Sequence, residues 1–572
     1  MIAFMPAASV PSQSPGRWVR PGEPGWPGEQ DWAALGRVTG GRLLKVESPL
    51  ATWAAAADSS LLADLRNPFF IGNSPALTQT LGWTGAWTSQ PSAYAVLAAG
   101  SADVVAAVNF ARERRVRLVV KGGGHSYLGG SNAADSLLIW TRALRDVELH
   151  DRFVPAGAAG QAEPETAVSV GAGAMWVDVY NAVTTTGGRY VQGGGCTTVG
   201  VAGLVQGGGF GSFSKGFGTA AANLLEAEIV TADGTVRIAN EARNPDLFWA
   251  LKGGGGGTFG VVTRLTLRTH ELPAYLGGLF ASITARSDAA YLALVEQVIS
   301  LYRERLMTPH WGEQLRFGAG RQVSVHMVFQ GLDRAEAERT WSPLVDWITA
   351  RPADFTLSGP VTLAIPGRDF WNPAVLRRAE GLIVANDLAG APAGQFHWAS
   401  DGDQVGQVLH AFESAWLPQR LLDPDRQRAL ASALVRASQV WPVALHCNKG
   451  LAGAPADALR RTADTSMNPA VLDSFALAIA SANEPPAYPG IPGHEPDLAQ
   501  GQRDAKAVAA AMAPLTALAG PAGSYVSETD YFQADWQRSF WGDNYARLTQ
   551  VKERYDPGGL FSVHHGVGTE GA

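Results

Sequence analysis

Apolar positions begin to recur with a helical period at Ser101. In SADVVAAVNFARE, Val104, Val105, Val108 and Ala111 fall on one face behind a serine able to cap it. The RLVV run that follows at 117–120 is short and continuously apolar, as a buried strand is, and leads into KGGGHS. Between about Val168 and Thr269, short apolar strands alternate with glycine-rich turns. This stretch closes on Val261–Leu267, whose later residues alternate as in a half-exposed strand. After Pro273 glycine thins out: AAYLALVEQVISLYRERL carries a helical stripe and QVSVHMVF alternates as a strand. WPVALHCNKG also alternates, placing Ala444, His446 and Asn448 on one face. Ser481–Gln500 reads as a long surface loop, and the aromatic-rich segment Ser524–Phe561 needs a core to pack against. Pro6, Pro11, Pro15, Pro21, Pro24 and Pro27 disfavour both helix and central strand, so the N-terminus reads as a surface-hugging or mobile leader.

Length then suggests several compact units, since 572 residues exceed a single small domain. Charged residues make up 17%, which predicts a surface lean in charge. A net charge of −7 and no basic cluster longer than the interrupted run Arg112–Arg117 argue against a nucleic-acid partner. The longest apolar stretch, Val508–Leu518, is broken by Pro514 and too short to span a bilayer, so the chain reads as soluble with no membrane partner. Met1–Val10 reads as a tail ahead of the stump of a removed export signal, which leaves cytoplasmic and exported locations both open. Two cysteines, Cys196 and Cys447, allow one bridge or two separate roles.

Glycine carries the strongest chemical signal. There are 66, concentrated in Gly122–Gly124, Gly193–Gly195, Gly207–Gly211 and Gly253–Gly257. Any one run could belong to ordinary turns. Four in one domain point to backbone N–H groups brought close to a ligand, as a dinucleotide pyrophosphate requires. No GxxxxGK[ST] string occurs, which excludes a P-loop. The GxGxxG at Gly255, Gly257 and Gly260 precedes a strand instead of following one, so it is no Rossmann fingerprint.

Five ordered motifs carry a resemblance: GGGHSYLGGS (122–131), GGGCTTVGVAGLVQGGGFG (193–211), GTAAANLLEAEIVTADG (218–234), NPDLFWALKGGGGGTFGVVTRLTL (244–267) and NYARLTQVKERYDPGGLF (544–561). Together they resemble the berberine bridge enzyme-like branch of the vanillyl-alcohol oxidase flavoproteins. The resemblance implies an α+β fold with a PCMH-type FAD-binding domain and a central α+β substrate domain containing an antiparallel sheet. The expected division is a leader and lead-in at 1–90, the FAD-binding domain at 91–272, the substrate domain at 273–520, and a segment at 521–572 that completes the FAD domain.

The resemblance further implies FAD held through two covalent bonds, His125 to the 8α-methyl carbon and Cys196 to C6. A neutral imidazole nitrogen and a thiolate are suitable nucleophiles toward an electron-poor flavin. By the same motifs Gly122, Gly123, Gly124 and Ser126 cradle the pyrophosphate, Gly200 and Gly203 line the flavin, Val262 offers backbone to the nucleotide end, and Asn544 touches the ring. Val199 stands at the gatekeeper position, where valine resembles the oxidases. Tyr525 matches the family's catalytic tyrosine, which takes a substrate proton while hydride passes to flavin N5. Tyr127 is an active-site neighbour, and His446 meets substrate if the second domain's sheet roofs the flavin.

Leu204 stands where many relatives have histidine and Ala222 where they often have aspartate, so the resemblance does not carry redox tuning and substrate over from the better-known members. His564 and His565 are adjacent, which points their side chains apart in an extended segment, and no metal-ligand spacing occurs. The expected activity is oxidation of a sugar, phenolic or natural-product alcohol, with a small-molecule substrate and dioxygen as partners. A dehydrogenase using a quinone or protein acceptor, or a binding protein that merely retains flavin, are the alternatives. Oligomeric state is not legible.

Overall fold

The computed structural model describes residues 18–51, 59–488 and 491–569. The expectations for Met1–Val10 lie outside them. The helix expected from Ser101 spans Ser101–Arg114, with Val104, Val108 and Ala111 buried and Val105 partly so. Its cap is Gly100, and Ser101 is the first helical residue: its Oγ donates instead to Glu228 Oε1 at 2.5 Å, tying the helix to the neighbouring sheet. The strand Arg117–Lys121 follows. It lies at one edge of a four-stranded sheet with Ser136–Trp140, Tyr94–Leu97 and Leu43–Lys45, in that order.

A second sheet places Val261–Glu271 between Leu224–Val230 and Glu165–Gly171, all antiparallel. Arg264 alone is exposed in 261–267, so the expected half-exposed alternation gives way to burial on both faces. The cause is a core on each side: Val261 packs in one cluster with Val104 and Val108, while Val262, Leu265 and Leu267 pack in another with Trp176 and Phe248. The C-terminal aromatics rejoin the same two cores, Trp541 and Leu548 entering one and Phe561 the other.

The third sheet has nine strands. In order they are Phe355–Pro366, Tyr275–Ala285, Gln322–Gln330, Trp311–Gly318, Val443–His446, Ser474–Glu484, Gln407–Pro418, Thr80–Trp83 and Trp87–Thr88. Residues from helices Asp288–Leu301, Gln427–Val440 and Leu498–Ala519 share the large apolar cluster formed with this sheet. Three details differ from the sequence reading. Thr80–Trp83, assigned to the lead-in, pairs in parallel with Gln407–Pro418, so the early chain crosses over to extend the central sheet. The strand through His446 ends there, because the Lys449 N–H turns back to the His446 carbonyl at 3.1 Å; Asn448 belongs to that turn. The expected loop at 481–500 is also shorter, since strand continues to Glu484 and helix resumes at Leu498. Among the described residues no helix is long and apolar enough to cross a membrane.

Lys121 ends the strand that delivers the first glycine loop. Its ammonium is buried and donates to the carbonyls of Ser74, Pro75 and Leu77 at 3.0, 2.7 and 2.9 Å. Lys121→Met leaves three carbonyls without their donor, and a loss of about 3 kcal/mol is expected. A lowered urea midpoint would show it; an unchanged midpoint would mean that water replaces the ammonium.

Candidate active site

Gly123 and Gly200 bring the two loops together. A Cβ on Gly123 would stand 2.6 Å from the Gly200 nitrogen, and one on Gly200 would stand 2.7 Å from the Gly123 nitrogen. Only two glycines allow this backbone contact, so the loop after Arg117–Lys121 and the loop at 193–200 meet without intervening side chains. Gly124 takes φ +77°, and its carbonyl accepts the Gln79 N–H at 3.0 Å. The turn thereby presents His125 and Cys196 to one cavity of about 450 Å³.

Gly122, Gly123, Gly124, His125, Ser126, Tyr127, Cys196, Val199, Gly200, Gly203, Val262, His446 and Tyr525 all line that cavity. Asn544 does not. Its amide donates to the Met467 carbonyl at 2.7 Å and the residue stands at the start of helix Tyr545–Tyr555. Cys196 and Cys447 are both free thiols. Leu204, the departure from histidine, also lines the cavity and packs between Gly194 and Gly209, where added Cβ atoms would stand 2.6 and 2.4 Å from its methyls. Ala222 lies in the short turn Ala221–Asn223.

Burial sets the charge states. It lowers the His125 pKa to about 4, so the imidazole is neutral at physiological pH; its Nε2 lies 3.3 Å from Thr198 Oγ1. Burial pushes the Cys196 thiol well above its ordinary value, with Asp401, Glu313 and Glu528 adding to the effect. Tyr525 is raised to about 12, chiefly by burial; its hydroxyl oxygen accepts the Gly209 N–H at 3.2 Å. Tyr127 is raised as well, again by burial first, and its ring lies 5.3 Å from that of Phe412. His446 stands opposite Gln314 in the sheet, and burial holds it neutral, helped by Lys449 and Arg316.

Sequence reasoning missed the ionic side of the site. Lys449 is ion-paired with Glu528, which lies three residues beyond Tyr525, and both line the cavity. Glu313 lines it too, at φ +67°, and accepts from Ser212 Oγ at 2.5 Å. The strings SETD and HCNKG contained two of these residues, but nothing in their spacing paired them. His564 and His565 are a correction. Their ring centroids lie 3.8 Å apart instead of pointing away, because His565 adopts φ +53° and the segment is not extended. Among the described residues no group of His, Cys, Asp and Glu is placed to hold a metal.

The cavity suits a large polar cofactor. Gln206 Oε1, Thr258 Oγ1, Asn448 Oδ1 and His565 Nδ1 belong to lining residues and are buried with no hydrogen-bond partner among the described residues. Such groups are normally satisfied. A Cβ on Gly203 would meet nothing within 4 Å, so that backbone borders open space. The residues present fit a dinucleotide laid across glycine backbone.

Fold and cavity thus define a protein built around a glycine-lined cofactor site. A family model for an FAD binding domain matches residues 92–240, and one described as berberine and berberine like matches 524–568. The chain is 30% identical over 590 residues to the VAO-type flavoprotein oxidase VAO615 of Thermothelomyces thermophilus, covering 98% of this chain and 94% of the relative. The FAD-linked oxidoreductase notD of an Aspergillus species is 28% identical, covering 96% and 88%. The crystal structure of MtVAO615 from Myceliophthora thermophila superposes with a TM-score of 0.77 at 27% identity, covering 97% of each chain. A carbohydrate oxidase from Microdochium nivale shares the fold, with a TM-score of 0.63 at 19% identity over 91% of this chain and 99% of that one. The chain belongs to the VAO-type, berberine-like family of FAD-linked flavoproteins and is an FAD-dependent oxidoreductase.

Lys449→Met removes the cation from the partly buried Glu528. A loss of about 3 kcal/mol is expected from the stranded carboxylate. Thermal melts of the two proteins would measure it, and equal melting temperatures would show that the pair is solvent-relaxed.

Proposed function

We propose that the chain is a bicovalent FAD-dependent oxidase acting on an alcohol of the sugar, phenolic or natural-product class. The observation that carries this is the shared cavity of His125 and Cys196, on loops that touch at Gly123 and Gly200. His125 would hold the 8α carbon and Cys196 C6, while Gly122–Gly124 and Ser126 would meet the pyrophosphate and Val262 the nucleotide end. FAD held there supplies a hydride acceptor at N5 and a route for the electron pair to dioxygen, giving hydrogen peroxide. Val199, beside Gly200 in the cavity lining, holds the gatekeeper position at which valine resembles the oxidases.

For the substrate proton, Glu528 is a better acceptor than Tyr525. Burial disfavours the tyrosinate, and Glu528 raises the Tyr525 pKa further, while the cavity's lysine is paired with Glu528. Tyr525 then orients substrate from the Gly209 side, while neutral His446 at its strand end and buried Tyr127 on the first glycine loop offer hydrogen bonds. A glucooligosaccharide oxidase of Acremonium strictum and the Microdochium carbohydrate oxidase share this fold, which supports including oligosaccharides among the substrates to be screened.

The attachment is tested by denaturing and digesting the protein and mapping flavin-bearing peptides by mass spectrometry. Flavin joining a His125 peptide to a Cys196 peptide is expected; flavin free in the supernatant overturns double attachment. With any sugar or alcohol that reduces the wild type, Glu528→Gln should slow flavin reduction by about 100-fold or more, and Tyr525→Phe by less. The opposite order would return the proton to Tyr525.

A further inference from the structure

The loop carrying Cys196 is clasped from the central domain. A hairpin of Ile383–Ala385 and Phe396–Trp398 runs into the 3-10 turn Ala399–Gln404. Trp398 Nε1 donates to the Gly195 carbonyl at 3.1 Å, and Thr197 Oγ1 donates to the Phe396 carbonyl at 2.8 Å. The two bonds flank the thiol on either side in sequence. Gln395 Nε2 adds a third tie, to Asp178 Oδ1 at 2.7 Å. The turn that ends the clasp carries Asp401, whose carboxylate is the strongest acidic influence on the Cys196 thiol.

A buried thiol is a poor nucleophile until a base takes its proton. Three carboxylates act on Cys196, and two are engaged elsewhere: Glu313 with Ser212, and Glu528 with Lys449. Asp401 has a buried Oδ2 with no hydrogen-bond partner among the described residues. Burial raises its pKa to about 6, which makes it a stronger base than an ordinary aspartate while leaving it mostly ionised at neutral pH.

We propose that Asp401 is the base that activates Cys196 for its bond to the flavin, so that the second attachment depends on a residue delivered by the clasping loop. This rests on the reading of Cys196 as an attachment point. The S–H proton passes to Asp401 and the sulfur bonds to flavin C6. The C6–H bond then breaks, its proton leaving to water. Its electron pair stays on the flavin until dioxygen removes it as hydrogen peroxide. None of the three hydrogen bonds of the clasp involves His125. Asp401 is thus a residue of cofactor maturation, separate from substrate turnover.

The test is peptide mapping of purified Asp401→Asn holoenzyme beside wild type, with Cys196 titrated by a thiol reagent after denaturation. The expected result is flavin on His125 at the wild-type level, at least a tenfold loss of the Cys196-linked peptide, and a reactive Cys196 thiol. Asp401→Glu should recover part of the second bond. Wild-type loading of Cys196 in Asp401→Asn overturns the proposal. A wild type that itself lacks the Cys196 bond instead sinks the attachment reading on which it rests. Should Asp401→Asn fail to fold, Trp398→Phe removes only the indole N–H that ties the loop to Gly195. Partial loss of the Cys196 bond with the His125 bond intact then supports the proposal, and full double loading overturns it.

Discussion

The contact between Gly123 and Gly200 is the constraint on which the site depends. It closes a backbone-to-backbone approach that any side chain would block, and it sets His125 and Cys196 on facing loops of a single cavity. Everything around it holds those loops in place. Lys121 pins the strand end that feeds the first loop, and the strand Val261–Glu271 lies between two cores that fix the sheet behind it. The returning C-terminal aromatics complete those cores, which explains why so aromatic a tail is needed at the end of the chain.

Burial then acts in different directions on different groups. It keeps imidazoles neutral, thiols and phenols protonated, and carboxylates more basic than usual. For His125 this leaves a nucleophile ready at neutral pH, whereas Cys196 is left without reactivity of its own. The same effect disfavours a tyrosinate at Tyr525, while the Glu528 carboxylate is paired with Lys449 in the cavity. The site's chemistry therefore comes from where its charges are compensated, as much as from which residues are present.

The central sheet ties these features together. Its strands Trp311–Gly318 and Val443–His446 carry Gln314 and His446 to the cavity, and Asn448 and Lys449 reach it from the turn that follows His446. Thr80–Trp83 joins the far side of that sheet, so the early chain spans both parts before the first glycine loop is built. Hairpin and clasp at 383–404 add a contact from the same central region back onto the cysteine loop.

By itself the sequence determined the elements with strong local signals and the two glycine loops with His125 and Cys196. Periodicity is enough to define a helix such as Ser101–Arg114, and a run of glycines permits only a few backbone roles. Tertiary structure decided the rest, because ion pairs, sheet partners and clasping loops join residues far apart in the chain. Glu528 finds Lys449 79 residues away, and Phe396 finds Thr197 199 residues away. Asn544 and the His564–His565 pair show the same limit on a smaller scale. Motif position could not show that Asn544 starts a helix and donates to the Met467 carbonyl, nor that one left-handed residue brings the rings of two adjacent histidines together.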